Sequence, residues 1–198
     1  MAGGRTLAIG GAITLVLALT AGAAPAREER PPGYLPPAAL PDSLVLLPPP
    51  PASDSAEAAA ERAYFLETRA LAGTPRWRQA ADDAEAFGDK AHASFACAAG
   101  VAITVKDTPT LSRMLDRMTV DAGQSVGGAK TTYNRPRPLV GHDDAPICVP
   151  REAWMQTNPS YPSSSAAAGW AWALVLAEVL PKRARPIITR GLGGGESR

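Results

Sequence analysis

Two short stretches of this chain concentrate residues able to do chemistry. The first is KTTYNRPRP, Lys130 to Pro138, which sets Lys130, Arg135 and Arg137 close together with a proline after each arginine. A guanidinium is a planar fork that suits phosphate oxygens, and an ammonium acts as a point charge. Proline fixes the local backbone, and Tyr133 can pack the segment down, which makes the cations directional. Taken alone, the stretch is either a solvated basic loop or one wall of an anion cradle. The second stretch is YPSSSAAAGWAWALVLAEVL, Tyr161 to Leu180, where three serines precede an apolar helix. A serine is a preferred N-cap, but one serine is enough for that. A helix mouth also favours anions through its unpaired N–H groups and its dipole. Hydroxyls and amides gathered there, near the cations of the first stretch, suit a phosphate-like guest.

Helices have to position these groups. Ser53 or Asp54 can cap a helix running to about Leu71, with Ala59, Ala63, Leu66 and Ala70 on one face and Gly73 ending it. Thr74-Pro75 starts another, with proline at the tolerated first position, running to about Phe87. Residues 92–103, HASFACAAGVAI, are apolar nearly all round and are expected to be a buried helix. Thr108-Pro109 repeats the start signal, and Leu111, Met114, Leu115 and Met118 follow at helical spacing, as core packing does. Residues 123–160 read as one long loop. A helix over Ser165–Leu180 stops before Pro181, and a short one over about 183–190 leads into GLGGGESR. No strand alternation and no internal repeat is evident, so the expected class is all-α.

The chain has 198 residues, a formal charge of +1, two cysteines and two histidines. That suits one domain and offers no electrostatic argument for nucleic acid. Residues 1–26 read as a secretory signal: Arg5 in the positive region, an apolar run to Leu19, and an A-x-A site at Ala24-Pro25-Ala26. The run is short for a membrane span, and a secreted or periplasmic location follows. Residues 27–51 form a proline-rich arm, extended or looped, which the apolar patch Leu44–Leu47 could pin to the core. Export permits one disulfide between Cys97 and Cys148. His92 is expected on or beside a core helix, and His142, with Asp143 and Asp144, in a solvated loop. No metal and no cofactor is expected.

Lys130, six intervening residues and Arg137-Pro138 resemble the first signature of the type 2 phosphatidic acid phosphatase (PAP2) superfamily. Within it, the chain looks like the bacterial class A non-specific acid phosphatases. LLPPPP at Leu46–Pro51, SFACA at Ser94–Ala98, DAGQS at Asp121–Ser125, YPS at Tyr161–Ser163, GWAWALVLAEV at Gly169–Val179 and GESR at Gly195–Arg198 sit where that family has similar text. The resemblance covers roughly residue 40 to the end. It implies a helical bundle of the PAP2 and vanadium haloperoxidase type behind the N-terminal arm, with residues 52–198 as an acid phosphatase domain lacking its last part. It also implies hydrolysis of phosphate monoesters through a phosphohistidine. Lys130, Arg137 and Arg198 would clamp the phosphoryl oxygens, Ser163 would add its hydroxyl, and Ser164 would stand where the family has glycine and uses a backbone N–H. Ser165 stands where the family has its acid histidine. A serine hydroxyl does not titrate near neutral pH, and general acid help is worth about 10²–10⁴-fold. The nucleophilic histidine and its aspartate would lie beyond Arg198, and without the helix that carries them apolar neighbours would be uncovered. The expectation is therefore an impaired exported acid phosphatase, acting on small phosphorylated substrates and open to self-association. The alternatives are a phosphate-binding pseudo-enzyme and, less in keeping with the lack of long apolar spans, a membrane lipid phosphatase relative.

Overall fold

The computed structural model describes residues 30–196, together with Met1 and Gly3. The leader expected over residues 1–26 falls, apart from those two residues, outside them. The described residues are helical with no strand, as the sequence implies. The arm makes a 3-10 turn at Pro37–Ala39 and a single helical turn, α1, at Ser43–Leu46. Then come α2 (Ala56–Glu67), α3 (Pro75–Asp83), α4 (Gly88–Ala99), α5 (Pro109–Ser125), α6 (Gly127–Tyr133), α7 (Ser164–Val179) and α8 (Ala184–Glu196). No helix among the described residues is long and apolar enough to cross a membrane.

The centre of the bundle is α7, packed against α8 on one side and α5 on another, with α4 closing against α8. Leu176 and Ala173 on α7, Leu115 on α5, Ile187 on α8 and Phe95 on α4 are all buried. Trp172 is buried with them, and its indole N–H donates to the Leu115 carbonyl at 2.9 Å, so this large side chain leaves no unpaired polar atom. The contact of α7 with α8 is close because Gly191 has no side chain. A Cβ there would come within 2.4 Å of the Ala173 Cβ. His92 is buried on α4, with Nε2 2.9 Å from an Asp116 carboxylate oxygen and its ring against Trp172. It is a core histidine, as expected.

The proline half of both start signals holds, the cap half only at Thr74: the Thr108 hydroxyl instead donates back to the Thr104 carbonyl at 3.0 Å. Thr74 caps α3, accepting from the Trp77 N–H at 3.2 Å, and Pro109 opens α5. Gly73 and Gly100 adopt positive φ at turns that follow helical segments, where glycine meets little steric cost.

Several expectations change. The cap of α2 is Ser55, whose oxygen accepts from the Ala58 N–H. The buried residue of α2 is Ala58, and Leu66, expected on the inner face, is exposed. The stretch over 123–160 is not one loop: α5 runs to Ser125, α6 follows, and a 3-10 turn forms at Ala153–Gln156. The glycines of GLGGG continue α8 instead of leaving it, because one of them permits the approach to α7. Leu44, Val45 and Leu46 are exposed, so the arm is pinned by other means than its apolar patch. Cys97 and Cys148 are free thiols. Cys97 sits exposed on α4, while burial raises the Cys148 pKa and nearby Arg69 and Arg76 partly offset this. The exposed apolar residues include Trp170, Leu174, Val179 and Leu192, on α7 and α8.

Candidate functional site

The three serines divide the work at the start of α7. Ser163 is the N-cap, its oxygen accepting from the Ala166 N–H at 3.2 Å. Ser163 is therefore the cap, and the helix begins one residue earlier than its apolar pattern suggests. A hydroxyl has one proton and two lone pairs, so Ser163 can accept that bond and still donate to a ligand. Ser164 is the first helical residue. Among the described residues Asn134 is the non-glycine residue with positive φ, so serine at position 164 is accommodated without backbone strain. Ser165, one turn position further, is half-buried.

Lys130 reaches this helix mouth from α6. Its Nζ donates to the Pro162 carbonyl at 3.2 Å, immediately before Ser163, and an ammonium has two further protons to offer. Burial lowers the Lys130 pKa, and the nearby positive charge of Arg137 lowers it further. Burial also lowers the Arg137 pKa. Two cations thus stand together in partial burial, an arrangement an anion would relieve.

Arg137 is fixed by residues that no sequence pattern marked. Its Nε donates to the Asn158 carbonyl at 2.9 Å and an Nη to the Asn158 side-chain oxygen at 3.0 Å. Its guanidinium lies 4.8 Å from the centre of the Trp154 ring. Arg135, the third cation of the basic stretch, pairs with Glu61 on α2 and so is committed elsewhere. Ser160 ties the two stretches together, its N–H donating to the Arg135 carbonyl at 2.8 Å. Asn134 ends α6 in the left-handed conformation at φ 42°, a geometry asparagine tolerates better than most residues. This turns the chain from α6 into the arginine segment.

The structure thus brings Lys130, Arg137 and Ser163 to one end of the bundle. Arg198 lies outside the described residues. His142 is half-buried in the loop, its ring 5.8 Å from that of Phe65, rather than fully solvated, and Asp143 and Asp144 are exposed. No group of three or more His, Cys, Asp or Glu residues among the described residues could hold a metal ion.

No family model matches the chain. It is 37% identical over 135 residues to an acid phosphatase of Zymomonas mobilis, an alignment covering 68% of this chain and 51% of that protein. It is 38% identical over 139 residues to a non-specific acid phosphatase of Providencia stuartii, covering 70% of this chain and 56% of the relative. A non-specific acid phosphatase of Salmonella typhimurium is 37% identical over 139 residues, covering 70% and 55%. The chain spans about half the length of the curated relatives it matches. It is homologous to the bacterial non-specific acid phosphatases, the class A, PAP2-type proteins that its motifs resemble.

Proposed function

We propose that this chain binds the phosphate of small phosphate monoesters at the mouth of α7, within an exported protein of the acid phosphatase type. The observation that carries the reading is the bond from Lys130 Nζ to the Pro162 carbonyl, which sets an ammonium beside the serine cap. In this reading Lys130 and Arg137 neutralise the phosphoryl oxygens, Ser163 donates its hydroxyl, and the positive end of the α7 dipole adds to the attraction. Ser164 contributes its backbone N–H, and Arg198 is assigned to the clamp by resemblance alone. Electrostatic neutralisation of this kind is the main contribution to phosphoryl transfer.

Ser165 favours a second reading, binding with little or no turnover. It occupies the position of the acid histidine and offers no proton at an appropriate pKa, so departure of the alcohol goes unassisted. Both readings require the same cradle and differ in the chemistry that follows. The full chain is assayed with p-nitrophenyl phosphate at acid pH and titrated calorimetrically with inorganic phosphate or vanadate. Hydrolysis that Lys130→Ala abolishes establishes the enzyme. Binding without hydrolysis establishes the pseudo-enzyme, and no heat at millimolar ligand rejects the cradle. Export is tested separately by the mature N-terminus, expected near Arg27.

A further inference from the structure

The helix that carries Lys130 is a poor helix. It has seven residues, Gly127–Tyr133, and begins with two glycines. Isolated helices shorter than about 12–15 residues are marginal in water, and each glycine costs about 1 kcal/mol relative to alanine. Its N-cap position is Val126, which has no side-chain oxygen and makes no side-chain cap bond. Local sequence therefore does not explain why α6 forms where it does.

The proline-rich arm supplies what is missing. Ser43, itself buried, accepts from the N–H of Ala129 at 3.2 Å. Ala129 is the third residue of α6, the place where an ordinary serine N-cap would bond. The cap is thus delivered by another part of the chain. The far end of α6 is held to the same arm, because the Tyr133 hydroxyl donates to the Leu47 carbonyl at 3.0 Å. One residue further along the arm, the Pro48 carbonyl accepts from the Tyr161 hydroxyl at 2.9 Å. Tyr161 leads through Pro162 into the serine cap of α7, and the Tyr133 and Tyr161 rings lie 5.9 Å apart. Six residues of the arm, 43–48, therefore hold both ends of α6 and the approach to α7.

We infer that the arm is a positioning strap for the phosphate site, in which Ser43 caps α6 across the fold and so sets Lys130 against the mouth of α7. Ser43 acts through the Ala129 amide and does not touch the ligand, so it is a positioning residue. The link to phosphate rests on the function proposed above. The strapping of α6 does not.

The test uses the full chain, with Ser43→Ala and Ser43→Thr, and two measurements. The first is amide hydrogen exchange at Ala129 and Lys130, with Ala173 and Leu176 as core references. The second is calorimetric titration with inorganic phosphate. Ser43→Ala is expected to speed exchange at Ala129 and Lys130 while the core amides keep their protection, and to weaken phosphate binding by about five- to tenfold, the equivalent of one lost cap. Ser43→Thr keeps the hydroxyl and restores both. Unchanged exchange at Ala129 in Ser43→Ala overturns the strap. Acceleration of α6 and core amides together also overturns it, since Ser43 would then serve only general stability. If the unmodified chain binds no phosphate, the phosphate reading fails alone, and the exchange result still decides whether the arm holds α6.

Discussion

The α7–α8 core and the α6–arm region are built on different principles. In the core, helices long enough to persist bury side chains against each other: Leu176, Ala173, Leu115 and Ile187 are fully buried. The position of each helix is decided by shape, and Gly191 is there to permit it. In the site region Val126 and Ala129 are buried too, but hydrogen bonds between distant segments do much of the positioning. A seven-residue helix with two glycines is held by bonds through Ser43, Tyr133 and Lys130, and Tyr161 ties the approach to α7 to the same arm. The core is set chiefly by volume, the site chiefly by hydrogen bonds. Binding groups on weak elements respond to small changes that the core would ignore.

The largest expected effect breaks the core side of this contrast. Leu176→Ala should cost about 3 kcal/mol, within the usual range of about 2–5 for such a truncation. Chemical denaturation reads this, and phosphate affinity of the folded fraction should hardly move. If affinity falls as steeply as stability, the two regions are not separable. Next in size, Lys130→Met should weaken phosphate binding by about 10–100-fold, as loss of a charge-assisted hydrogen bond implies. Its melting temperature should hold or rise, because a half-buried charge with no carboxylate partner among the described residues is removed. A melting temperature that drops by many degrees would make Lys130 a structural residue.

A smaller effect separates the two roles of Ser163. Ser163→Ala should lose about 1 kcal/mol of stability as a cap, while glycine at the same position costs only a few tenths. Both should weaken phosphate binding alike if the hydroxyl contacts the ligand. If the glycine variant keeps full affinity, Ser163 is a cap and nothing more. The smallest effect is a slope. The Lys130 pKa is lowered from its ordinary value of 10.5, so the unfolded chain holds more protons between the folded pKa and 10.5. The cost of the buried charge is fully present below the folded pKa and disappears as pH rises through that window, so stability should rise there. Subtracting the corresponding curve for Lys130→Met isolates this term, and identical curves would refute it.

The sequence made much of the core legible. Thr74-Pro75 and Thr108-Pro109 are local signals, and local signals predict helix starts well because caps and prolines act within one turn. Order and resemblance single out Lys130, Arg137 and Ser163, and the fold brings these three near one another. What stayed hidden depends on contacts between distant segments. α6 reads as loop in the sequence because two glycines and seven residues carry no helical signal, and the Ser43 that caps it lies far off in the chain. Asn158 and Trp154, which orient Arg137, share no spacing with it. The glycines of α8 read as a breaker because their value lies in the neighbour they admit. Export and a count of two suggest a Cys97–Cys148 bond, but neither says where a thiol points, and both are free.

The strap also bears on the order in which the molecule assembles. The Ser43 bond joins residues 86 positions apart, and the Tyr161 bond joins residues 113 apart. Closing such long loops is entropically slow, and contacts of large sequence separation delay folding. During synthesis the arm leaves the ribosome well before α6 and α7 exist, and has to wait for them. The bundle can condense first around α7, and the lysine takes its final place only when the arm comes to rest against it.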